Sequence, residues 1–583
     1  MHRLYPNPAW QREAHGRLSF LENGRELGLR FAFSVGSLIG LRLYVPRRLG
    51  ADTATLFLVR DGETQPMRFP LRLCGGDGRL DMYAALLDCA PLSPADGLFF
   101  CRITLETIYG LLSVFRTVGE EVGFAPGREE SAFPLLFCDS LVPAPAMQGG
   151  CLYALPLSEV GRLGRLFCGE DDDLSTFFSH LRALGVRAIW LSPPAEKGET
   201  DGRWNPSQLP PAFLSLAEKS GIRLLFDLLL CSDVQEEGSL LSSPAAALRA
   251  GQGVDDRPGF WNTPLLPRGE TRPVQDYFCG AGGLLPRLLA MGAGGFVLRA
   301  TDRFGDALLQ AMHGCLAGQI VMGAAEGGPF PIRYGTRRRA LWEGGLDAIF
   351  DGTLRSACLA YLAEGETAPL YHYLCDVLPA MPQHALALQA EMLSSYEEGS
   401  FLSALQERCG GEGGAEVLRL LAELGHLIAG TLPGLPLYLA GEENGLPYPP
   451  AQGEAVGGQL AFFLRLGQLR RREAVYRDGL FRLLHLSPSL LVFSREREGE
   501  ALLTVINRSP RRLHVASPDG FSVAFGGRGL KNVFAVRPYG GVVLKVGHWE
   551  GEPCRLRFTQ QGAAPAAAMV LSPPSALCPV QHL

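Results

Sequence analysis

Short alternating runs of apolar and polar residues dominate the first part of the chain. Between residues 20 and 118, LRFAFSV, IGLRLYV and GLFFCRITL are separated by Gly, Pro and Asp, the pattern of antiparallel strands with one buried face. This predicts an N-terminal β-sandwich over residues 1–135. The stretch 119–150, containing FAPGREES and LVPAPAMQGG, is looser and reads as the linker into a second domain. From residue 151 brief apolar runs alternate with helical periods. CLYALPL, VRAIWLSPP, IRLLFDLLL, GGFVLRA, QIVMGAA, GLDAIF, ALALQAEMLSS and LPLYLAG read as strands, and stretches such as LSTFFSHLRALG, AFLSLAEKSG, GLLPRLLAMGA and DALLQAMHGCLAG as helices between them.

Repeated βα units with buried, non-alternating strands predict an all-parallel sheet wrapped by helices. At this length a (β/α)8 TIM barrel over 136–477 fits better than an open sheet. Short strands return after it in LLHLSPSLLVFSR, ALLTVINRS and GGVVLKVG, predicting a C-terminal β-sandwich over 478–550. The Ala/Pro-rich residues 551–583 read as a tail, disordered in part. The fold class is therefore multidomain α/β plus β, a central barrel flanked by two β-sandwiches.

Composition narrows the function classes. The chain has 583 residues, 47% of them apolar and 20% charged, with a net charge of -6. That balance suits folded protein and offers no broad basic field for nucleic acid or an anionic membrane. The N-terminal MHRLYPNPAW has no apolar leader-like run, and no 18 consecutive apolar residues occur, so a cytoplasmic protein without membrane contact is expected. Fourteen cysteines are scattered without a CxxC pair or a close Cys/His cluster. Neither a metal site nor a cofactor is expected. Lysine occurs only at 197, 219, 531 and 545, a compositional bias without functional content.

The sharpest local feature is GGFVLRATD, a buried strand that ends on the cation Arg299. A charge inside a barrel mouth must be paired, so Asp227 or Glu397 is the expected neutralising acid. Trp190 lies within an apolar strand and is expected in the core, whereas Trp204 and Trp261 lie in Gly/Pro-rich loops where a sugar ring could stack.

Taken in order, several segments resemble the α-amylase superfamily, glycoside hydrolase family 13, in its neopullulanase and cyclomaltodextrinase branch. They are GLFFCRITL, GGCLYALPLSEVGRL, LRALGVRAIWLSPP, GIRLLFDLLLCSD, FWNTPLLPRGETRPVQDYF, LPGLPLYLAGEENGL and AFFLRLGQLRRREAVYRDGLFRLL. The resemblance implies hydrolysis of α-glucans by two carboxyls flanking the glycosidic bond, roughly 5–5.5 Å apart in retaining enzymes. It also implies maltooligosaccharides or other α-glucans as ligands. Its N-terminal module, similar to a starch-binding-type domain, implies either glucan binding or a homodimer.

The catalytic motifs depart from the family pattern. By resemblance, Arg299 stands at the nucleophile position, Ala324 at the acid/base position and Glu397 at the third acid, preceded by Tyr396 in place of a histidine. Val297 and Arg303 fill the other motif positions of the fourth strand, and Cys231 and Ser232 follow Asp227 where Asn and His are usual. A guanidinium cannot attack carbon, and a methyl group transfers no proton. The expectation is a protein without glycosidase activity, acting as a binder, scaffold or regulator, with Asp227, Trp204, Trp261 and Tyr396 as candidate sugar contacts. Two alternatives stay open. One is an active α-glycosidase with relocated acids, for which Glu326 is the candidate substitute. The other is an interaction protein with no sugar ligand.

Overall fold

The computed structural model describes residues 15–23, 25–26, 30–60, 63–88, 97–116, 121–126, 133–138, 146–162, 174–192, 209–229, 272–299, 306–316, 318–324, 341, 345–396, 398–409, 414–445, 459–497, 500–546, 554–560 and 565–571.

The N-terminal strands form one continuous, mostly antiparallel sheet. In Leu38–Pro46 the residues Ile39, Leu41, Leu43 and Val45 are buried and alternate with Arg42 and Tyr44, and in Gly97–Thr107 the buried set is Phe99, Cys101, Ile103 and Leu105. This period of two is what a strand with one covered face requires. The sheet curls until Gly97–Thr107 pairs with Gly110–Arg116 as well as with Ala51–Arg60, closing a ring around one apolar core. Ala32–Ser34 and Phe133–Cys138 extend from that ring, paired in parallel with each other.

Two sequence expectations need correcting. The stretch 119–150 is not simply a connector, because Glu121–Ala125 and Phe133–Cys138 are strands of the N-terminal sheet. The apolar FPLLFC, buried from Leu135 to Cys138, outweighs its Pro- and Arg-containing surroundings. The Ala/Pro-rich end also contains structure: Cys554–Gln560 and Pro565–Leu571 pair with each other, and the first pairs with Leu513–Phe525 of the C-terminal sheet. An alternating strand there finds an open edge to join, which composition alone does not reveal.

The centre is a closed parallel barrel. Its eight strands are Cys151–Pro156, Val186–Ser192, Arg223–Leu229, Gly295–Arg299, Ile320–Ala324, Ala348–Asp351, Ala390–Met392 and Leu435–Leu439. All eight apolar runs read as strands contribute one. The seventh is shorter than ALALQAEMLSS suggests, because its first half is the helix Gln383–Leu388. Helix Leu174–Leu184 buries Phe177, Phe178, Leu181 and Leu184 against the barrel wall, the stripe expected of a surface helix. Gly467 lets helix Leu460–Arg472 cross it closely, since a Cβ there would collide with the Leu184 carbonyl. Helix Ala415–Thr431 is buried along most of its length and packs against both the eighth barrel strand and the C-terminal strand Gly540–Val546. An almost wholly buried helix is the seam between two layers.

Candidate functional site

Alternation along the barrel strands decides which side chains face the bore. Leu152 and Ala154, Ala188 and Trp190, Leu225, Val297, Ile320 and Met322, Ala348 and Phe350, Ala390, and Leu435, Leu437 and Leu439 form one interior cluster. Their sequence neighbours, such as Tyr153, Ile189, Phe226, Phe296 and Val321, belong to the cluster between barrel and helices. Asp227 follows Leu225 by two on the third strand, at an inward position, and is 1% exposed. Arg299 ends the fourth strand two positions beyond Val297, and its backbone pairs with Leu229 on one side and Ala324 on the other. Asp227 pairs one level lower, with Val297. The positions aligned by resemblance with nucleophile and acid/base are thus direct backbone neighbours, and they carry Arg and Ala.

Aromatic rings pack inside the same bore. Trp190 and Phe350 come from the second and sixth strands, on opposite walls, and their ring centroids are 4.7 Å apart. The Tyr396 ring lies 4.7 Å from that of Trp190, and its hydroxyl donates to the Trp190 carbonyl oxygen at 2.7 Å. Ala324, Met392 and Tyr396 all pack on the same interior cluster. Trp190, only 4% exposed, is a core residue as its strand position predicts, and the Tyr396 hydroxyl already has a protein acceptor.

The loop that carries Tyr396 is fixed from outside the bore. Arg355, on helix Thr353–Leu359 after the sixth strand, is 5% exposed. Its guanidinium donates to the carbonyl oxygens of Leu393, Glu398 (2.8 Å) and Gly399, and it pairs with the Glu398 carboxylate at 3.0 Å. Ser395 and Gly399 bridge each other by two backbone hydrogen bonds, and the Ser395 hydroxyl accepts from the Glu398 amide. Neither Arg355 nor Phe350 stands out in the sequence. Phe350 is legible only as an alternate apolar position, and Arg355 carries no local signal.

Several carboxyls are buried nearby without facing the bore. Asp351 and Glu391 are register partners on strands six and seven, pointing into the helix layer because Phe350, Ala390 and Met392 take the inward positions. Gln389 Nε2 donates to Asp351 at 2.8 Å, and the Tyr373 hydroxyl donates to Glu391 at 2.6 Å. Burial pushes the Asp351 carboxyl up to about 6 against opposing hydrogen bonds, and burial with the neighbouring Asp351 charge holds Glu391 well above the usual range. After the eighth strand, burial raises Glu442, but His426 at 3.3 Å, the Ser394 hydroxyl and the Leu439 amide outweigh it and hold the acid below its usual range. Glu443 accepts from the Tyr153 hydroxyl and contacts His180, each at 3.0 Å. These groups tie strands to helices.

Among the inward positions of the described strands, Asp227 is therefore the one carboxyl. One carboxyl cannot both attack an anomeric carbon and protonate a leaving oxygen. The candidates Glu326, Glu397, Trp204 and Trp261 lie outside the described residues, as do Cys231, Ser232 and Arg303. Among the described residues no group of three or more His, Cys, Asp or Glu side chains could hold a metal ion, and no helix is long and apolar enough to cross a membrane.

No family model matches the sequence, and no curated protein matches it significantly. Solved structures do resemble it. An α-amylase from Anoxybacillus aligns with a TM-score of 0.53 at 15% identity, covering 69% of this chain and 99% of its own. An α-amylase from Geobacillus thermoleovorans, complexed with acarbose, gives 0.53 at 17% identity over 69% of this chain and 99% of its own. A maltogenic amylase from S. marinus gives 0.52 at 14% identity over 91% of this chain and 82% of its own. With the closed parallel barrel and its β-rich flanks, these likenesses show that the chain has the fold of the α-amylases.

Proposed function

We propose that the protein is a catalytically silent member of the α-amylase superfamily, neopullulanase-like in its order of parts, that works by binding α-glucans as a scaffold or regulator. The observation that carries this reading is the register of strands four and five, where Arg299 stands beside Ala324. The first supplies no nucleophile and the second no proton. The packing of the rings of Trp190, Phe350 and Tyr396 in the bore supports the same reading. Maltooligosaccharide contacts then fall to the rim, with Trp204 and Trp261 as stacking candidates and Asp227 as a structural acceptor beneath. Scattered thiols fit a reducing compartment such as the cytoplasm.

The test combines turnover and binding. Incubation with maltoheptaose, cyclodextrin, pullulan and p-nitrophenyl glucoside should release no product, while calorimetry with maltoheptaose should show saturable heat. Turnover abolished by Glu326→Gln would instead establish relocated acids.

A second reading, assembly with another protein or a second copy, is favoured by one surface. Leu73 is 60% exposed and Ile108 70% exposed. Pairing of Ala54 with Leu71 and of Ala51 with Thr107 puts them at the same end of the N-terminal sheet, two strands apart. Leu111, also 60% exposed, lies on the hairpin strand that follows Ile108, paired with Glu106. Exposed apolar residues gathered at one end of a sheet mark interaction surfaces. Light scattering should show a dimer that Leu73→Glu with Ile108→Glu converts to monomer, and a monomeric wild type at high concentration removes the self-association form of this reading.

A further inference from the structure

At the end of the barrel opposite the mouth, a cavity of about 40 Å³ opens where the three parts of the chain meet. It is lined by Arg30 from the N-terminal part, by Pro433 and Gly434 ahead of the eighth strand, and by Arg477, Asp478 and Arg495. Its electrostatics are unusual. Arg495 is 2% exposed, and four of its five N–H groups donate to the carbonyl oxygens of Gly479, Thr431 and Val475 at 3.0–3.4 Å. Arg470, 1% exposed, likewise donates only to the carbonyls of Gly150, Gly430 and Gly434. The two guanidinium groups lie 5.8 and 5.7 Å from the Tyr476 ring. Among the described residues neither makes an ion pair with a carboxylate, although buried charges normally do.

A buried acid, Glu391, feels both guanidinium groups, but burial holds its carboxyl well above the usual range, and the lining adds little negative charge. Arg477 is exposed, and its side chain has no hydrogen bond or ion pair among the described residues. Asp478, the one acid in the lining, is held by Arg497 at 3.2 Å. Arg495 keeps one N–H unused. A cavity of this size holds a few waters or a single tetrahedral oxyanion and excludes a sugar ring.

We propose that this junction is an anion site, in which a phosphate group is bound between Arg477 and Arg495 and compensates the buried arginine pair. The guanidinium fork of Arg477 suits phosphate oxygens, and Arg495 adds its one unused N–H. Inorganic phosphate and a phosphate monoester share this chemistry, the monoester leaving its organic part outside the opening. The site stands whether or not the barrel mouth binds glucan.

Calorimetric titration of the full chain with inorganic phosphate, at ionic strength matched with sodium chloride, tests it. The expected result is saturable one-to-one binding and a phosphate-dependent rise in Tm. Arg477→Gln, an exposed change that leaves folding intact, should weaken binding about tenfold or more. Arg528→Gln, at an exposed arginine in the turn between strands Leu513–Phe525 and Leu530–Val536, should leave it unchanged. Tighter binding of glycerol 3-phosphate than of phosphate would identify a monoester as the ligand, and the reverse order the free anion. Heats indistinguishable from those of chloride, or equal weakening by the two variants, would overturn the proposal.

Discussion

The Tyr396 hydroxyl donates to the Trp190 carbonyl oxygen at 2.7 Å while the two rings lie 4.7 Å apart. One side chain thus fastens the loop after the seventh strand to the second strand across the barrel mouth. Tyr396→Phe keeps the ring and removes the bond, so a loss of about 1 kcal/mol is expected in denaturant unfolding. Trp190→Ala, which empties the middle of the ring stack, should cost about 3–5 kcal/mol. Equal effects for the two changes would mean that the stack contributes nothing of its own.

Restoring a nucleophile should not restore hydrolysis. In Arg299→Asp the neighbouring strand still presents Ala324, so no proton reaches the leaving oxygen. Reducing-sugar release from maltoheptaose is expected to stay at background, and measurable turnover by this single variant would falsify the account of the site.

Arg355 should matter for order in the loop that it holds. Arg355→Met strips hydrogen bonds from three carbonyl oxygens and leaves Glu398 unpaired, a change expected to cost about 3 kcal/mol. Hydrogen exchange should accelerate at the Ser395 and Gly399 amides, which bridge the loop. Unchanged protection there would show that the loop is held by its own turn.

Stability should depend on pH through the acid pair between strands six and seven. Asp351 is pushed up to about 6 in the folded chain, from an ordinary value of 3.8, and Glu391 is raised too. The folded state then binds more protons than the unfolded one between those values. This contribution is fully present below the unfolded pKa and is lost as pH rises through about 6. For Asp351 alone the loss is about 3 kcal/mol. Asp351→Asn should flatten the difference in urea midpoint between pH 4 and pH 7, and Gln389 can turn its free Oε1 toward the new amide. A variant with the slope of the wild type would place the pH dependence elsewhere.

How much of the fold and the site was legible in the sequence depended on the range over which each feature acts. The barrel strands are local apolar runs, and Trp190 reads as core because its own neighbours are apolar. FPLLFC and CRLRFTQ alternate or run apolar too, but they sit among Pro, Ala and Arg, and composition over a wider window hid strands that pair at sheet edges. The meeting of Trp190 with Phe350 depends on closure of an eight-strand ring, which sets the second strand opposite the sixth. Arg355 was invisible for a different reason. Its partners are mainly backbone carbonyls, which every residue carries, so no residue pattern announces them.

The outer strand of the N-terminal sheet, Ala32–Ser34, has its pairing partner on one side only, and Phe31 just before it donates its amide to the Pro379 carbonyl of the barrel at 2.8 Å. The barrel therefore shields the margin of a sheet that is otherwise closed on itself. A chain cut between the two would keep its ring of strands yet expose that margin to solvent, and unpaired strand margins recruit one another. The amylase-like barrel thus covers an open strand edge of the module ahead of it.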